Sequence, residues 1–263
     1  MSIKAIILAA GKGSRLGIHT KNKPKCLAKL GNKGLLEWQL ETLRSAGISD
    51  ITIVAGYKHE FLRFNGIKKV LNNQWNQTNM VESLFCAQSL FKEDIIVSYG
   101  DIIYEPRILR NLLNSTHNIS VAVDKSWEKY WKFRFKDPLS DAESLQMDRD
   151  GFITDIGNKV YKISEIQAQY MGLMRFQGAG INSILEARRS LFKVYRPWNK
   201  LRDKKNAYMT DLLMELILIG KKVKAIIGSG GWLEIDTAEE YERLSEMFLD
   251  GTINRFFNSS NKI

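Results

Sequence analysis

Within a single stretch of 25 residues, Ile6 to Leu30 (IILAAGKGSRLGIHTKNKPKCLAKL), Gly11 and Gly13 stand close to the five cations of residues 12–25. Gly11 and Gly13 let backbone N–H groups turn inward and approach an anion closely. Lys12, Arg15, Lys21, Lys23 and Lys25 surround them, and a cradle of amides flanked by cations suits a polyphosphate. The pattern is not a dinucleotide fingerprint. Gly11, Gly13 and Gly17 are spaced one residue too long, and the first carboxylate after them, Glu37, lies beyond the start of the next helix. No G-x-x-x-x-G-K-[ST] loop occurs either. Two further residues matter for chemistry. Asp101 ends an apolar run (IIVSYGD) and Asp236 ends another (WLEID). A carboxylate at the C-terminal end of a parallel strand projects into the crevice where open α/β sheets bind ligands. A strand-end Asp also serves as a turn or helix cap.

The string LAAGKGSRLG followed by KPKCL resembles the signature LAAGxGxRL…KPK of the nucleotidyltransferases that make nucleotide-activated sugars and alcohols. The resemblance runs from Ile3 to about Tyr241 and implies transfer of a nucleotidyl group to a phosphorylated acceptor, releasing pyrophosphate. Such an acceptor needs no general base, because its second pKa is about 6. The task is to align groups and spread charge. By the resemblance, Lys25 stabilises charge at the α-phosphate and Arg15, helped by Lys12, clamps pyrophosphate. Asp101 and Asp236 hold Mg²⁺, a hard ion that takes carboxylates and phosphate oxygens. By the same resemblance Leu8, Ala9, Ala10, Gly11, Lys12, Gly13 and Gly100 line the nucleotide site. Asn79 and Ser83 read the base, although an amide or hydroxyl there equally caps a helix.

The middle of the chain departs most from the sugar enzymes. TNMVESL and the short WLEIDT resemble the branch that activates phosphocholine and related phosphates or phosphonates with CTP. A sugar-1-phosphate nucleotidyltransferase using UTP, dTTP or GTP stays open, as does a nucleotide-binding module without turnover. Trp127, Tyr130 and Trp131 share one helix face, either as an aromatic box for an ammonium group or as packing on the sheet. Asp141, Glu143 and Asp211 are candidates for an acceptor's amine, Asp211 equally for a helix dipole. Lys159 is the candidate for the acceptor phosphate, and Tyr170 completes the acceptor set.

These residues need a frame. Ile3–Leu8 and Ile51–Ala55 are apolar without alternation, as strands buried on both faces are. Between them, Leu36, Leu40 and Leu43 form a helical stripe ended by Gly47. Strand, helix, strand in about fifty residues is a βαβ unit with a parallel sheet. Lys69–Leu71, Ile95–Ser98, Ile119–Val123, Tyr170–Phe176, Val223–Ile227 and Trp232–Asp236 read as further strands. Ser144–Met147 and Phe152–Ile156 flank a hairpin turn at Asp148–Gly151. Helices are expected from Thr78 or Asn79 through Phe91, over Glu105–Leu113, Ile181–Lys193 and Asp211–Ile219, and from the Thr237/Glu240 capping box towards Phe248. The tail from Asn258 is expected to fray. The whole reads as a Rossmann-like three-layer α/β/α sandwich with a mostly parallel mixed sheet. It is expected to be one domain, residues 1–123 mainly nucleotide-binding, 124–236 mainly acceptor-binding and 237–263 a C-terminal helix and tail.

The 263 residues are 44% hydrophobic, enough for a core without staples. Two cysteines and no signal segment or apolar run of ~18 residues suggest a reduced cytoplasmic protein with no membrane partner. The net charge of +10 invites nucleic acid, but the cations are scattered apart from Lys21–Lys25 and Arg202–Lys205 and no nucleic-acid motif occurs. The partners expected are CTP and a small anionic acceptor, with a homodimer left open. The expected pathway is cell-surface polysaccharide or lipid precursor synthesis.

Overall fold

Alternate residues of the first strand go to opposite faces of the sheet: Ala5, Ile7 and Ala9 enter one apolar cluster, Ile6 and Leu8 another. Both faces are therefore covered, which is why the strand shows no polar alternation. The computed structural model describes residues 3–193 and 203–259. Arg202 of the second basic cluster and residues 260–263 of the tail lie outside the described residues.

In chain order the strands are β1 (Lys4–Ala9), β2 (Lys29–Leu30), β3 (Lys33–Gly34), β4 (Asp50–Ala55), β5 (Ile67–Leu71), β6 (Ile95–Tyr99), β7 (Ile102–Tyr104), β8 (Ile119–Asp124), β9 (Glu143–Met147), β10 (Ile153–Lys159), β11 (Gln169–Phe176), β12 (Lys224–Gly228) and β13 (Trp232–Glu234). The helices are α1 (Leu35–Ser45), α2 (Met80–Cys86), α3 (Pro106–Leu113), α4 (Trp127–Arg134), α5 (Ala179–Lys193), α6 (Met209–Leu218) and α7 (Ala238–Asp250). Seven strands form the central sheet in the order β12-β8-β11-β6-β1-β4-β5, and only β11 runs antiparallel to its neighbours. Helices α1 and α3 bury their stripes on one face, α2, α5 and α6 on the other, giving the three-layer Rossmann-like sandwich. Leu36, Leu40 and Leu43 of α1 are at most 2% exposed, each contributing about 1.5–3 kcal/mol of transfer free energy.

The chain leaves β1 towards α1 on one face and reaches β6 through α2 on the other. The ends of β1 and β6 thus flank a switch point, where such sheets open a ligand crevice. The helix expected through Phe91 stops earlier. Ala87 closes α2, and a tight turn over Gln88–Leu90 sets Phe91 edge-on to Phe85 at 5.5 Å. Trp232–Asp236 is strand only to Glu234, and β13 pairs antiparallel with β7, Glu234 opposite Ile102. The hairpin β9–β10 lies against α6 and β11. Among the described residues no helix is long and apolar enough to cross a membrane.

Candidate active site

The glycine loop after β1 is built around Lys25. Gly13 has φ +65°, and a Cβ there would stand 2.7 Å from the Cβ of Lys25, so the lysine stem occupies the space that a side chain would need. Leu16, fully buried, anchors the loop, and Thr20 Oγ1 donates to the Gly13 carbonyl at 2.9 Å. At the next turn Gly100 passes close over β1: a Cβ there would fall 2.8 Å from Leu8 O and from Ala9 Cβ. Close passage of this kind lets the residue after it, Asp101, reach the crevice. Gly13→Ala is expected to cost about 1–2 kcal/mol in the left-handed backbone and to displace Lys25. Turnover should therefore fall further than the melting temperature does; equal loss of both would leave Gly13 a purely structural residue.

Lys25 Nζ donates to Asp101 Oδ2 at 2.7 Å and to Asp236 Oδ1 at 2.8 Å. Arg15 Nη2 donates to the same Asp236 oxygen at 3.0 Å. The β7–β13 pairing brings the two acids together, with Ile235 N–H donating to the Asp101 carbonyl at 3.2 Å. Burial alone would lower the Lys25 ammonium's pKa, but Asp101 and Asp236 outweigh it and hold it above its usual value. Burial would raise Asp236, yet Lys25 and Arg15 hold it down at about 2. For Glu234 burial and the Asp236 charge together win over Arg134 and push its carboxyl up.

Oxygens of Asp101, Glu234 and Asp236 all lie within 4.8 Å of one another. Asp101 Oδ1 is buried with no hydrogen-bond partner. Three hard oxygen donors, one of them unsatisfied, fit a divalent cation bound together with phosphate oxygens.

Two cavities open from this cluster. One, of about 300 Å³, runs beneath the glycine loop past Trp75 to Asn79, Met80 and Ser83. The other, of about 400 Å³, is lined among others by Trp131, Asp141, Glu143, Tyr170, Tyr208 and Thr210. Arg15, Asn79, Met80, Glu234 and Asp236 line both. A phosphate in one cavity and an anion in the other would therefore meet at the Lys25–Asp236 cluster.

Residues 5–152 match the model of the MobA-like NTP transferase domain. The chain belongs to that family. Over 252 residues it is 38% identical to the CTP:phosphoglutamine cytidylyltransferase of Campylobacter jejuni, covering 91% of this chain and 98% of that protein. It is 33% identical over 119 residues to the choline-phosphate cytidylyltransferase of Streptococcus pneumoniae, 44% of this chain and 52% of that one. In solved structures the same architecture occurs in the CTP:phosphocholine cytidylyltransferase of Streptococcus pneumoniae, with TM-score 0.70 and 22% identity over 94% of this chain and 99% of that one. The protein is thus a nucleotidyltransferase.

In this NTP transferase Leu8, Ala9, Ala10, Gly11, Gly13, Arg15, Lys25, Asn79, Ser83, Gly100, Asp101 and Asp236 all line the first cavity. Lys12 does not; it is exposed, its ammonium 5.7 Å from the Tyr57 ring centroid. Asn79 also caps α2, its Oδ1 accepting from Met80 N–H at 2.8 Å, and Ser83 Oγ accepts from Asn72 Nδ2 at 3.0 Å. Trp131, Asp141, Glu143 and Tyr170 line the second cavity, where burial pushes the Asp141 carboxyl up. Three expected acceptor residues stand elsewhere. Trp127 is 3% exposed and packs edge-on to Trp131 at 6.0 Å, because the aromatic face of α4 covers apolar core. Lys159 is exposed, 5.4 Å from the Tyr161 ring centroid. Asp211 is the N3 residue of α6 and accepts from Tyr208 N–H at 2.6 Å.

Sequence reading missed Glu234, Arg134 and Trp75. Glu234 stands two residues before Asp236, the strand spacing that puts both on one face. Arg134 continues the Trp127, Tyr130, Trp131 stripe at i+7. Trp75 lies in a loop without periodicity and gave no signal. Cys26, next to Lys25, is 1% exposed, and burial pushes its thiol up to about 12, while Cys86 is exposed. A thiol reagent at about pH 8 is expected to label Cys86 alone in the native protein and both after denaturation, since the thiolate is the reactive form. Rapid native labelling of Cys26 would mean that the loop opens.

Proposed function

We propose that the protein is a Mg²⁺-dependent cytidylyltransferase that transfers CMP from CTP to a small phosphorylated or phosphonylated acceptor and releases pyrophosphate. The observation that carries this reading is Lys25, held 2.7 and 2.8 Å from two acids of which one, Asp236, lines both cavities. Its support from relatives is the 38% identity to a CTP:phosphoglutamine cytidylyltransferase along nearly the whole of both chains.

In this reading the first cavity takes CTP, with backbone amides of Gly11 and Gly13 on the phosphates, Asn79 and Ser83 near the base and Trp75 as an apolar wall. Residues 1–123 supply most of it. The second cavity, mostly from residues 124–236, takes the acceptor among Trp131, Asp141, Glu143 and Tyr170. An acceptor oxygen attacks the α-phosphorus in line while the bond to pyrophosphate breaks. Lys25 stabilises the charge that builds on the α-phosphoryl oxygens. Arg15, 64% exposed in its side chain, holds the departing pyrophosphate. Asp101, Asp236 and Glu234 would hold the magnesium ion, which supplies charge neutralisation across the phosphates. We place the enzyme in the cytoplasm, among the steps that make activated precursors of cell-surface polysaccharide or lipid, and a homodimer is compatible with it.

The test is pyrophosphate release with CTP, UTP, dTTP and GTP against phosphocholine, 2-aminoethylphosphonate, phosphoglutamine and glucose 1-phosphate. The expected result is turnover with CTP and one of the first three acceptors, abolished by chelation. Turnover with UTP or dTTP and the sugar phosphate would replace the proposal by the sugar-activating one. No turnover with any pair, alongside tight nucleotide binding, would favour a module without catalysis.

A further inference from the structure

The face of α4 that carries Trp127, Tyr130 and Trp131 ends in Arg134, and this arginine is enclosed: its side chain is 0% exposed. Three of its nitrogens each meet a different carboxylate. Nε donates to Glu240 Oε1 at 2.6 Å, Nη1 to Glu234 Oε2 at 2.8 Å and Nη2 to Asp236 Oδ2 at 3.0 Å. The rings of Trp131 and Phe135 lie 4.8 and 4.9 Å from its Cζ. One turn earlier, Tyr130 Oη donates to the Glu234 carbonyl at 2.9 Å and accepts from the Glu234 N–H at 3.1 Å. The helix therefore grips the segment Glu234–Asp236 by its backbone and by both of its acidic side chains.

The division of oxygens is informative. Arg134 takes Oδ2 of Asp236, while Oδ1 of the same carboxylate faces Lys25 and Arg15. It takes Oε2 of Glu234, leaving Oε1. Across the cluster, Asp101 presents a buried Oδ1 with no partner. A guanidinium is planar and its donors have a fixed fork, so it holds one oxygen of each of the three carboxylates at set positions relative to one another, which a single ammonium does not.

We propose that Arg134 is a positioning residue for the divalent-cation site: by holding the rearward oxygens of Glu234 and Asp236 it aims their forward oxygens, with that of Asp101, at one ion. The proposal rests on the assignment of the metal to Asp101 and Asp236. It differs from a role in stability alone, in which Arg134 only neutralises the three acids around it.

The test is Mn²⁺ binding followed by electron paramagnetic resonance, with and without CTP, on the wild-type protein and on Arg134→Lys, which keeps the charge and loses the fork. The expected result is a folded variant whose Mn²⁺ affinity is weaker by about 10–100-fold, whose nucleotide affinity in EDTA is unchanged, and whose turnover recovers as Mn²⁺ is raised. A folded variant with wild-type Mn²⁺ affinity would overturn the proposal. Should Arg134→Lys not fold, the pair Arg134→Gln/Glu240→Gln removes one buried charge of each sign and is read in the same way. On the unmodified protein, the Arg134 guanidinium N–H resonances should stay individually resolved when Mg²⁺ and CTP are added, and their collapse to one averaged signal would count equally against it. Wild-type protein that binds no Mn²⁺ would instead remove the metal assignment itself.

Discussion

Lys25→Ala is expected to lower kcat by about 10²–10³-fold, the range found when one preorganised donor to a developing oxyanion is removed. The lysine is only 11% exposed in its side chain and is fixed by Asp101 and Asp236, so its ammonium is oriented before substrate arrives. Removal takes away no fold element. It does leave two carboxylates facing each other with less positive charge between them. The variant should therefore melt lower than wild type in EDTA and recover most of the difference in Mg²⁺, because the ion supplies the missing charge. Steady-state pyrophosphate release and melting curves in the two buffers check both parts. Turnover close to wild type would end the assignment of Lys25 as the stabilising group.

Asp236→Ala is expected to be at least as damaging. One carboxylate partners Lys25 and Arg15 through Oδ1 and Arg134 through Oδ2. Its loss removes a candidate metal ligand and leaves the enclosed guanidinium with two acids instead of three. The expected outcome is a fall in kcat/KM of at least about 10³-fold, equal to about 4 kcal/mol. A stability loss of about 3 kcal/mol should accompany it, the lower end for breaking a buried ion pair. Asp236→Asn separates the two effects: its one carbonyl oxygen still accepts from Lys25 and Arg15, its amide NH2 cannot accept from Arg134, and the charge that a divalent ion requires is lost. It should melt closer to wild type and still turn over poorly. Retention of Mn²⁺ affinity in Asp236→Ala would contradict the metal reading.

Much of the frame was legible because its signals are local. The uninterrupted apolar runs at β1 and β4 report burial on both faces, and the stripe Leu36, Leu40, Leu43 reports a helix packed on one side. The Thr237/Glu240 box works as its sequence spacing says: Glu240 N–H donates to Thr237 Oγ1 at 3.2 Å and Glu240 Oε2 accepts from Thr237 N–H at 2.9 Å. Glu240 does a second thing that the spacing could not reveal, accepting from Arg134 Nε across 106 residues. The aromatic face of α4 was legible as a face, but not as to which of its rings reach a cavity. Trp131 does, Trp127 does not, and the difference depends on what packs against the helix.

The order of residues alone determined the glycine loop and its lysine, because glycine's backbone freedom and the cations' charge act within a few positions of each other. It determined equally that Asp101 and Asp236 end apolar runs. Only the tertiary structure decided that these two acids, 135 positions apart in the numbering, share one ammonium with Glu234 beside them and Arg134 behind. The physical reason is that β7 and β13 find each other through backbone hydrogen bonds, which any two strands offer alike. No side-chain pattern in either strand names its partner.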